Sequence, residues 1–229
     1  MLNLDTLHNR LIVSCQATPD SPLRKTTHML AMARAALMGN AAGLRAEGIE
    51  DVRALSGLGH PLIGLVKREE YGSPVYITPS VADVLDLCAA GASIVAADVT
   101  GRSRRSGEST AALVEAAHAR GVHFMADVDS VAAAEEAVEA GADVISSTLS
   151  GYTGETSPEE PDISLVRTLA RILPVPVFAE GRYRTPEQVE RAFDAGAFCV
   201  VVGGAITDPV QITRRFVAAC PPILETVSA

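Results

Sequence analysis

The chain has 229 residues, 48% of them hydrophobic, and a formal net charge of −9. This length suits one large domain or two small ones with a substantial core, and the acidic balance argues against nucleic acid as a partner because it repels phosphate backbones. No segment approaches the roughly 20 apolar residues of a membrane span, and the start of the sequence lacks the layout of a signal peptide, so we expect a cytoplasmic protein with no membrane partner.

Short apolar runs alternate with longer alanine-rich stretches along the whole chain. The runs are continuous rather than alternating, as expected for parallel strands that are buried on both faces. The predicted strands are Leu11–Cys15, Ala42–Arg45, Leu62–Val66, Ile94–Ala97, Phe124–Asp127, Val144–Ser147, Val177–Ala179 and Cys199–Val202. The predicted helices lie near residues 27–39, 47–57, 80–90, 108–120, 130–140, 161–172, 186–195 and 207–219.

A quasi-repeat supports this alternation. The segments that begin Ala90-Gly91, Ala140-Gly141 and Ala195-Gly196 share one pattern, in which a helix stops at glycine and a buried strand follows. Eight strand–helix units in about 220 residues favour closure into a (β/α)8 TIM barrel, with an open doubly wound sheet as the alternative. No linker divides the chain, so residues 1–229 are predicted to form a single barrel domain.

The cysteines and histidines indicate no structural metal. The four cysteines are widely spaced and include no CxxC pair, which is typical of free thiols in a reducing compartment. The five histidines have no metal-ligand spacing. No Ser-His-Asp arrangement and no GxGxxG segment opening a helix is present, so neither a hydrolytic triad nor a dinucleotide cofactor is predicted.

Polar residues follow each of the apolar strands. In a barrel the carboxyl ends of the strands meet at one face, where active sites lie, so these residues predict a shared small-molecule pocket. The set is Gln16, Arg45, Lys67, Asp98, Asp127, Ser147 or Thr148, Glu180 and the pair Gly203-Gly204.

Lys67 is the most informative of these residues. The chain contains 17 Arg and only two Lys, and Lys67 directly follows a predicted strand. A lysine amine that is desolvated or near other cations can lose its proton and act as a base, which arginine cannot do. The alternative is a lysine that merely ends a strand. With Glu180 opposite, the pair suits proton abstraction next to a carbonyl, and Schiff-base chemistry is the rival.

Glycine-rich loops after the last two strands indicate an anion site. Gly181 and Arg182 follow the seventh predicted strand, and Gly203 and Gly204 follow the eighth. In TIM barrels a phosphate often binds at these two loops, where backbone N–H groups approach it closely. The segment 150–154, which includes Tyr152 and Thr153, is predicted to close over the same end.

Several segments in chain order also carry a family resemblance. They are Ser14–Ala17, Gly43–Ala46, Gly64–Arg68, Val75–Pro79, Met125–Asp127, Thr148–Thr153, Ala179–Arg182 and Val202–Thr207. From about Arg10 to Phe216 the chain resembles bacterial N-acetylmannosamine-6-phosphate 2-epimerases.

The resemblance implies a barrel of the ribulose-phosphate-binding type that interconverts N-acetylmannosamine 6-phosphate and N-acetylglucosamine 6-phosphate in sialic acid breakdown, without a cofactor and as a homodimer. Lys67 would remove and return the C2 proton, and Glu180 would assist ring opening or polarise the sugar. Gln16, Arg45 and Asp127 would hold the sugar and its N-acetyl group. Either one base or a base and a second acid could complete the inversion.

The chain departs from the family pattern at Asp208, where arginine is usual. A carboxylate near the phosphate would repel it unless the side chain turns away, and Arg182 or another loop arginine would then compensate. Arg102, Arg104 and Arg105 could draw in an anionic substrate or form a solvated loop. A related sugar-phosphate aldolase or epimerase, and a sensor that binds without turnover, are the alternatives.

Overall fold

The computed structural model describes residues 1–69, 72–154 and 158–221. Eight parallel strands pair in chain order, and β8 closes on β1 to complete a barrel. The strands are β1 Arg10–Cys15, β2 Gly43–Glu47, β3 Leu62–Leu65, β4 Ile94–Asp98, β5 His123–Asp127, β6 Val144–Ser146, β7 Val177–Glu180 and β8 Cys199–Val202. The predicted (β/α)8 barrel is confirmed, and every strand begins and ends within two residues of its predicted bounds.

The helices surround the barrel on its outer face. They are α1 Thr26–Met38, α2 Ile49–Ser56, α3 Val81–Ala90, α4 Thr110–His118, α5 Val131–Glu139, α6 Ile163–Ile172, α7 Pro186–Asp194, α8 Gly204–Thr207 and α9 Pro209–Ala218. Among the described residues, no helix combines the length and apolar character needed to cross a membrane.

Local sequence signals fix where the helices begin. The hydroxyl of Ser80 accepts a hydrogen bond from the N–H of Asp83 and so caps α3. Thr185 and Gln188 form a reciprocal capping box at α7, and proline occupies its first turn. These caps set the points at which the chain leaves the carboxyl face of the barrel.

The strands bury one set of side chains inside the barrel and another against the helices. The inner cluster includes Ile12, Ile63, Met125 and Phe178, and the outer cluster runs between the strands and the helical layer. Leu7 joins the inner cluster and is fully buried. Since it precedes β1, it closes the barrel at the amino-terminal end of the strands.

The fold differs from the prediction near both ends of the described chain. A 3-10 helix, Leu4–Leu7, precedes β1. The single helix expected near residues 207–219 is also wrong, because the chain forms α8 and α9 with a break at Asp208 (φ −117°, ψ 85°). Pro209 explains the break, since the residue before a proline is restricted from helical geometry while proline itself fits the first turn of α9.

The segment after β3 folds back on the strand. Lys67 pairs with Ile77 in an isolated antiparallel bridge, and the N–H of Thr78 donates to the carbonyl of Val66 at 2.8 Å. The N–H of Arg68 donates to the carbonyl of Tyr76 at 2.8 Å. This pairing holds Tyr76 beside Lys67 at the carboxyl face.

Candidate active site

A cavity of about 600 Å³ opens at the carboxyl ends of the strands. Polar residues from opposite sides of the barrel line it, in keeping with the strand-end pattern in the sequence. Of the residues predicted for the site, those that line the cavity are Gln16, Arg45, Lys67, Thr148, Tyr152, Glu180, Gly181, Arg182, Gly203 and Gly204.

Lys67 lies in the cavity wall two residues beyond β3, and its side chain is exposed to the cavity rather than sealed in protein. The protein walls still remove part of the hydration of the amine. This desolvation, followed by the charge of Arg45, lowers the pKa of Lys67, while Glu47, Glu180 and Asp127 oppose the shift. No hydrogen bond or ion pair joins the amine to any residue in the described ranges, so it is available to a bound substrate.

Arg45 organises the floor of the cavity. Its guanidinium is buried and binds Asp127 through two contacts, at 3.1 and 2.6 Å, while Nη1 also donates to Glu180 Oε2 at 2.5 Å. Both carboxylates are also within hydrogen-bonding distance of the Thr148 hydroxyl, at 2.7 and 3.2 Å. These contacts from Arg45 and Thr148 fix the orientation of the Glu180 carboxylate.

Asp127 lies in this network and not in the cavity wall. The residue is fully buried behind Arg45 and does not line the cavity. Asp127 contacts Arg45 and Thr148, and the contact with the sugar that the family resemblance implied stays a prediction.

Glu180 stands at the end of β7 with its carboxyl largely buried. Burial raises its pKa to about 7, Arg45 opposes the shift, and Asp127 adds to it. A carboxyl that titrates near neutrality can hold or release a proton under working conditions, which suits a general acid or base.

The two glycine loops lie next to each other at one end of the cavity. Gly181 has φ +105°, and a side chain there would approach the carbonyl of Thr148. Gly203 caps α8, and the Thr207 hydroxyl donates to the carbonyl of Ser14 at 2.9 Å, which ties that helical turn to β1. The first N–H groups of a helix have no intrahelical acceptor, so this end of the cavity offers free donors.

Arg182 lines the cavity and also holds a neighbouring loop in place. Its Nε donates to the carbonyl of Glu160 at 2.8 Å, and Nη1 donates to the carbonyl of Ser150 at 2.5 Å. The guanidinium also stacks over the ring of Tyr152 at 5.0 Å. These contacts hold Tyr152 at the cavity mouth. Thr153, in contrast, donates its hydroxyl to Asp129 and does not line the cavity.

Four charged residues singled out in the sequence do not line the cavity. The carboxylate of Asp98 accepts from Arg102 at 2.6 Å, and neither residue lines the cavity. Arg104 donates to the carbonyl of Asp98. Asp208 caps α9 by accepting from the N–H of Gln211 at 3.0 Å, so its carboxylate turns away from the cavity.

Several lining residues were missed by sequence reasoning. Gln211 and Arg215 line the cavity from α9, and their four-residue spacing on one helix is a signal that could have found them. Tyr76 and Arg184 gave no such signal. Tyr76 reaches the site only through the antiparallel bridge to Lys67, and burial raises the pKa of its phenol.

Comparison with known proteins identifies one family. Residues 29–221 match the family model described as "Putative N-acetylmannosamine-6-phosphate epimerase". A Clostridium perfringens (strain SM101) protein described in the same terms, as a 2-epimerase, is 43% identical over 215 residues, which cover 93% of this chain and 97% of the relative. The bifunctional enzyme NanE/NanK of Brucella melitensis is 46% identical over 93% of this chain and 41% of its own length.

Solved structures agree with these sequence matches. The N-acetylmannosamine-6-phosphate 2-epimerase from Clostridium perfringens superimposes with a TM-score of 0.92 at 41% identity, over 95% of this chain and 96% of that one. The deoxyribose phosphate aldolase from Aeropyrum pernix matches with a TM-score of 0.63 at 16% identity, over 94% and 93% of the two chains, and shares the fold alone.

Proposed function

The chain belongs to the family of N-acetylmannosamine-6-phosphate 2-epimerases, and from this premise we propose that it interconverts N-acetylmannosamine 6-phosphate and N-acetylglucosamine 6-phosphate. The observation that carries the proposal is the convergence of Lys67, Glu180 and the two glycine loops on one cavity. In this arrangement one bound ligand can meet a base, an acid and an anion site at the same time.

The chemistry follows from the open-chain form of the sugar. Its C1 aldehyde acidifies the C2–H bond, so the neutral amine of Lys67 removes that proton and an enolate forms. The enolate oxygen is stabilised by donors at the floor of the cavity, of which Arg45 is the strongest. A proton then returns to the opposite face of C2, either from Lys67 after the enolate has rotated or from a second acid, and the centre is inverted. The aldehyde itself provides the activation, so the proposed reaction needs no cofactor.

Glu180 is proposed to open the sugar ring. Its pKa, raised to about 7 by burial, allows the carboxyl to exchange a proton with the ring oxygen or the C1 hydroxyl near neutral pH. Arg45 and Thr148 hold that carboxyl in place. Gln16 is proposed to contact the sugar, since it lines the cavity and is oriented by a hydrogen bond to Ser14 at 2.8 Å.

Exchange of the C2 proton with solvent tests the proposal. The protein is incubated with N-acetylmannosamine 6-phosphate in heavy water, and proton NMR follows both the product and deuterium at C2. We expect formation of N-acetylglucosamine 6-phosphate with deuterium at C2. Absence of both would contradict the proposal, and a borohydride-trapped adduct on Lys67 would instead identify Schiff-base chemistry.

A cytoplasmic site of action is also proposed, since a charged phosphate ester does not cross a lipid bilayer unaided.

We further propose a homodimer in which a second copy covers α9. Among the helices that the structure describes, α9 is the one that buries no residue, and its Phe216 and Val217 are 75% and 62% exposed. Helices α1–α7 each bury residues against the barrel. Adjacent exposed apolar residues of this size typically mark an interface.

Sedimentation tests the dimer. We expect the wild-type chain to sediment as a dimer and Phe216→Ser to shift the population toward monomer. Ile172→Ser, which removes a half-exposed apolar side chain from α6, serves as the matched control. A wild-type monomer at micromolar concentration would contradict this proposal.

A further inference from the structure

The four arginines that line the cavity differ in what they bind. Arg45 is held by two carboxylates, and Arg182 is held by two backbone carbonyls. Arg184 and Arg215 also line the cavity, yet within the described part of the chain neither guanidinium has a hydrogen bond or an ion pair. Two cations therefore face the cavity with their donors uncommitted.

The local structure fixes the backbone positions of both residues. The N–H of Arg184 donates to Gln188 Oε1 at 2.6 Å, immediately before the cap of α7, so its backbone is held at the end of the β7 loop. Arg215 follows Gln211 by one helical turn of α9, and both residues line the cavity. Arg184 therefore follows the glycine loop after β7, and Arg215 lies on the helix that follows the glycine loop after β8.

The charge balance of the cavity favours an anion at that end. Its lining contains five basic residues, Arg45, Lys67, Arg182, Arg184 and Arg215. Glu180 is the one carboxylate among the described lining residues, and it is already paired with Arg45. This excess of positive charge occurs in a chain with a net charge of −9. A phosphate group is the ligand that matches uncommitted guanidinium forks beside glycine N–H groups.

The carboxylate of Asp208 does not offset the positive charge of the cavity. Its carboxylate is the cap of α9 and does not line the cavity, although it follows α8 directly. We propose that Arg184 and Arg215 bind the phosphate of the substrate and make the enzyme selective for phosphorylated sugars. This inference rests on the proposed function and assigns to these two residues the charge recognition that the sequence had placed on Arg182.

Steady-state kinetics of single variants test the assignment. We expect Arg215→Ala and Arg184→Ala each to raise the KM for N-acetylmannosamine 6-phosphate by about tenfold or more, because each loses a charge-assisted contact, with kcat changed less than about threefold. The kcat/KM for unphosphorylated N-acetylmannosamine should not change. Arg215→Lys should restore part of the affinity, since lysine keeps the charge but loses the fork.

Arg214→Ala is the matched control. It removes the same charge from the neighbouring position of α9, and Arg214 does not line the cavity. A KM within about twofold of wild type in both Arg184→Ala and Arg215→Ala would overturn the assignment. An equal rise in KM for Arg214→Ala would overturn it as well, since the effect would then be one of net charge.

Binding of inorganic phosphate separates this inference from the proposed function. Calorimetry measures its affinity whether or not the wild-type protein epimerises any sugar. Weaker phosphate binding by Arg184→Ala and Arg215→Ala than by Arg214→Ala supports the assignment, even where wild-type turnover is absent and the proposed function fails. Equal phosphate binding by all three variants and wild type overturns it.

Discussion

Arg45 lies in β2 and Lys67 lies just beyond the neighbouring strand β3, and the pKa values of the two side chains are shifted in opposite directions. Arg45 is buried and keeps its charge through Asp127 and Glu180, which raise the pKa of its guanidinium. Lys67 is exposed to the cavity, and desolvation together with Arg45 lowers the pKa of its amine. Arg45 therefore stays charged, whereas Lys67 loses its proton more easily. A lysine that acts as a base needs this lowered pKa.

The first prediction concerns Lys67. Lys67→Ala and Lys67→Arg should each lower kcat by at least about 100-fold, because the first removes the base and the second replaces it with a group that stays charged. Thermal unfolding should change little, since the side chain is exposed. Lys25→Ala, which alters the other lysine of the chain, should retain activity. Turnover by Lys67→Arg close to the wild-type rate would show that the residue is not the base.

The second prediction concerns the proton on Glu180. Burial raises the folded-state pKa from 4.5 to about 7, so the folded protein binds this proton more tightly than the unfolded chain does. The stabilising contribution is complete below the unfolded pKa and is lost as the pH rises through about 7. Glu180→Gln cannot ionise. The free energy of unfolding of wild type relative to Glu180→Gln should therefore fall between about pH 5 and 8.

Urea unfolding of both proteins at several pH values measures this difference, in which the contributions of all other titrating groups largely cancel. A difference that stays constant, or that rises with pH, would mean that Arg45 keeps Glu180 ionised throughout.

At the scale of elements, β3 and the segment behind it decide where Lys67 stands. Gly64 lies in β3, and a Cβ at this position would come within 2.9 Å of the Cβ of Ala92 and 3.2 Å of a methyl group of Val52. Its absence lets the neighbouring outer residues pack directly against the strand. The antiparallel bridge from Lys67 to Ile77 then fixes the residues that follow.

The third prediction follows from this packing. Gly64→Ala should lower the free energy of unfolding by about 1–3 kcal/mol, since the added methyl group overpacks a filled site. Gly57→Ala is the control, because a Cβ there meets only the carbonyl of Ala54 at an ordinary 3.6 Å. Urea denaturation measures both variants. Equal stability of Gly64→Ala and wild type would indicate that α2 or α3 shifts freely to accept the methyl group.

At the scale of the whole molecule, the two ends of the barrel serve different purposes. The carboxyl ends of the strands carry the cavity, while the amino-terminal end is filled by the 3-10 helix and its buried Leu7. His123 fastens the preceding segment through a hydrogen bond between Nε2 and the carbonyl of Leu2 at 2.8 Å. Changes at this end should affect stability without affecting substrate binding.

Leu7→Ala is the fourth prediction. It should lower the free energy of unfolding by about 2–5 kcal/mol, because it leaves a cavity in the barrel interior, and it should leave KM unchanged. Leu4→Ala, at a partly buried position of the same helix, should lower the free energy of unfolding by a smaller amount. Chemical denaturation and steady-state kinetics measure the two effects. A rise in KM for Leu7→Ala would show that the two ends of the barrel are coupled.

The sequence by itself determined the barrel and the positions from which the site is built. Continuous apolar runs and glycine stops repeat along the chain, and the period of such a pattern depends only on local backbone geometry. Lys67, Glu180, Gly181 and Gly203 could be placed on one face for the same reason, since parallel strands must end together.

The tertiary structure alone decided what each charged side chain binds. Arg182 contacts a loop carbonyl, Asp127 binds Arg45, and Asp208 caps α9, and none of these contacts was visible in the sequence. Arg215 and Tyr76 entered the site from a helix and a folded-back segment that the strand pattern did not include. Pairing between charges depends on distances of a few ångströms between residues far apart in the chain, and local sequence patterns do not encode those distances.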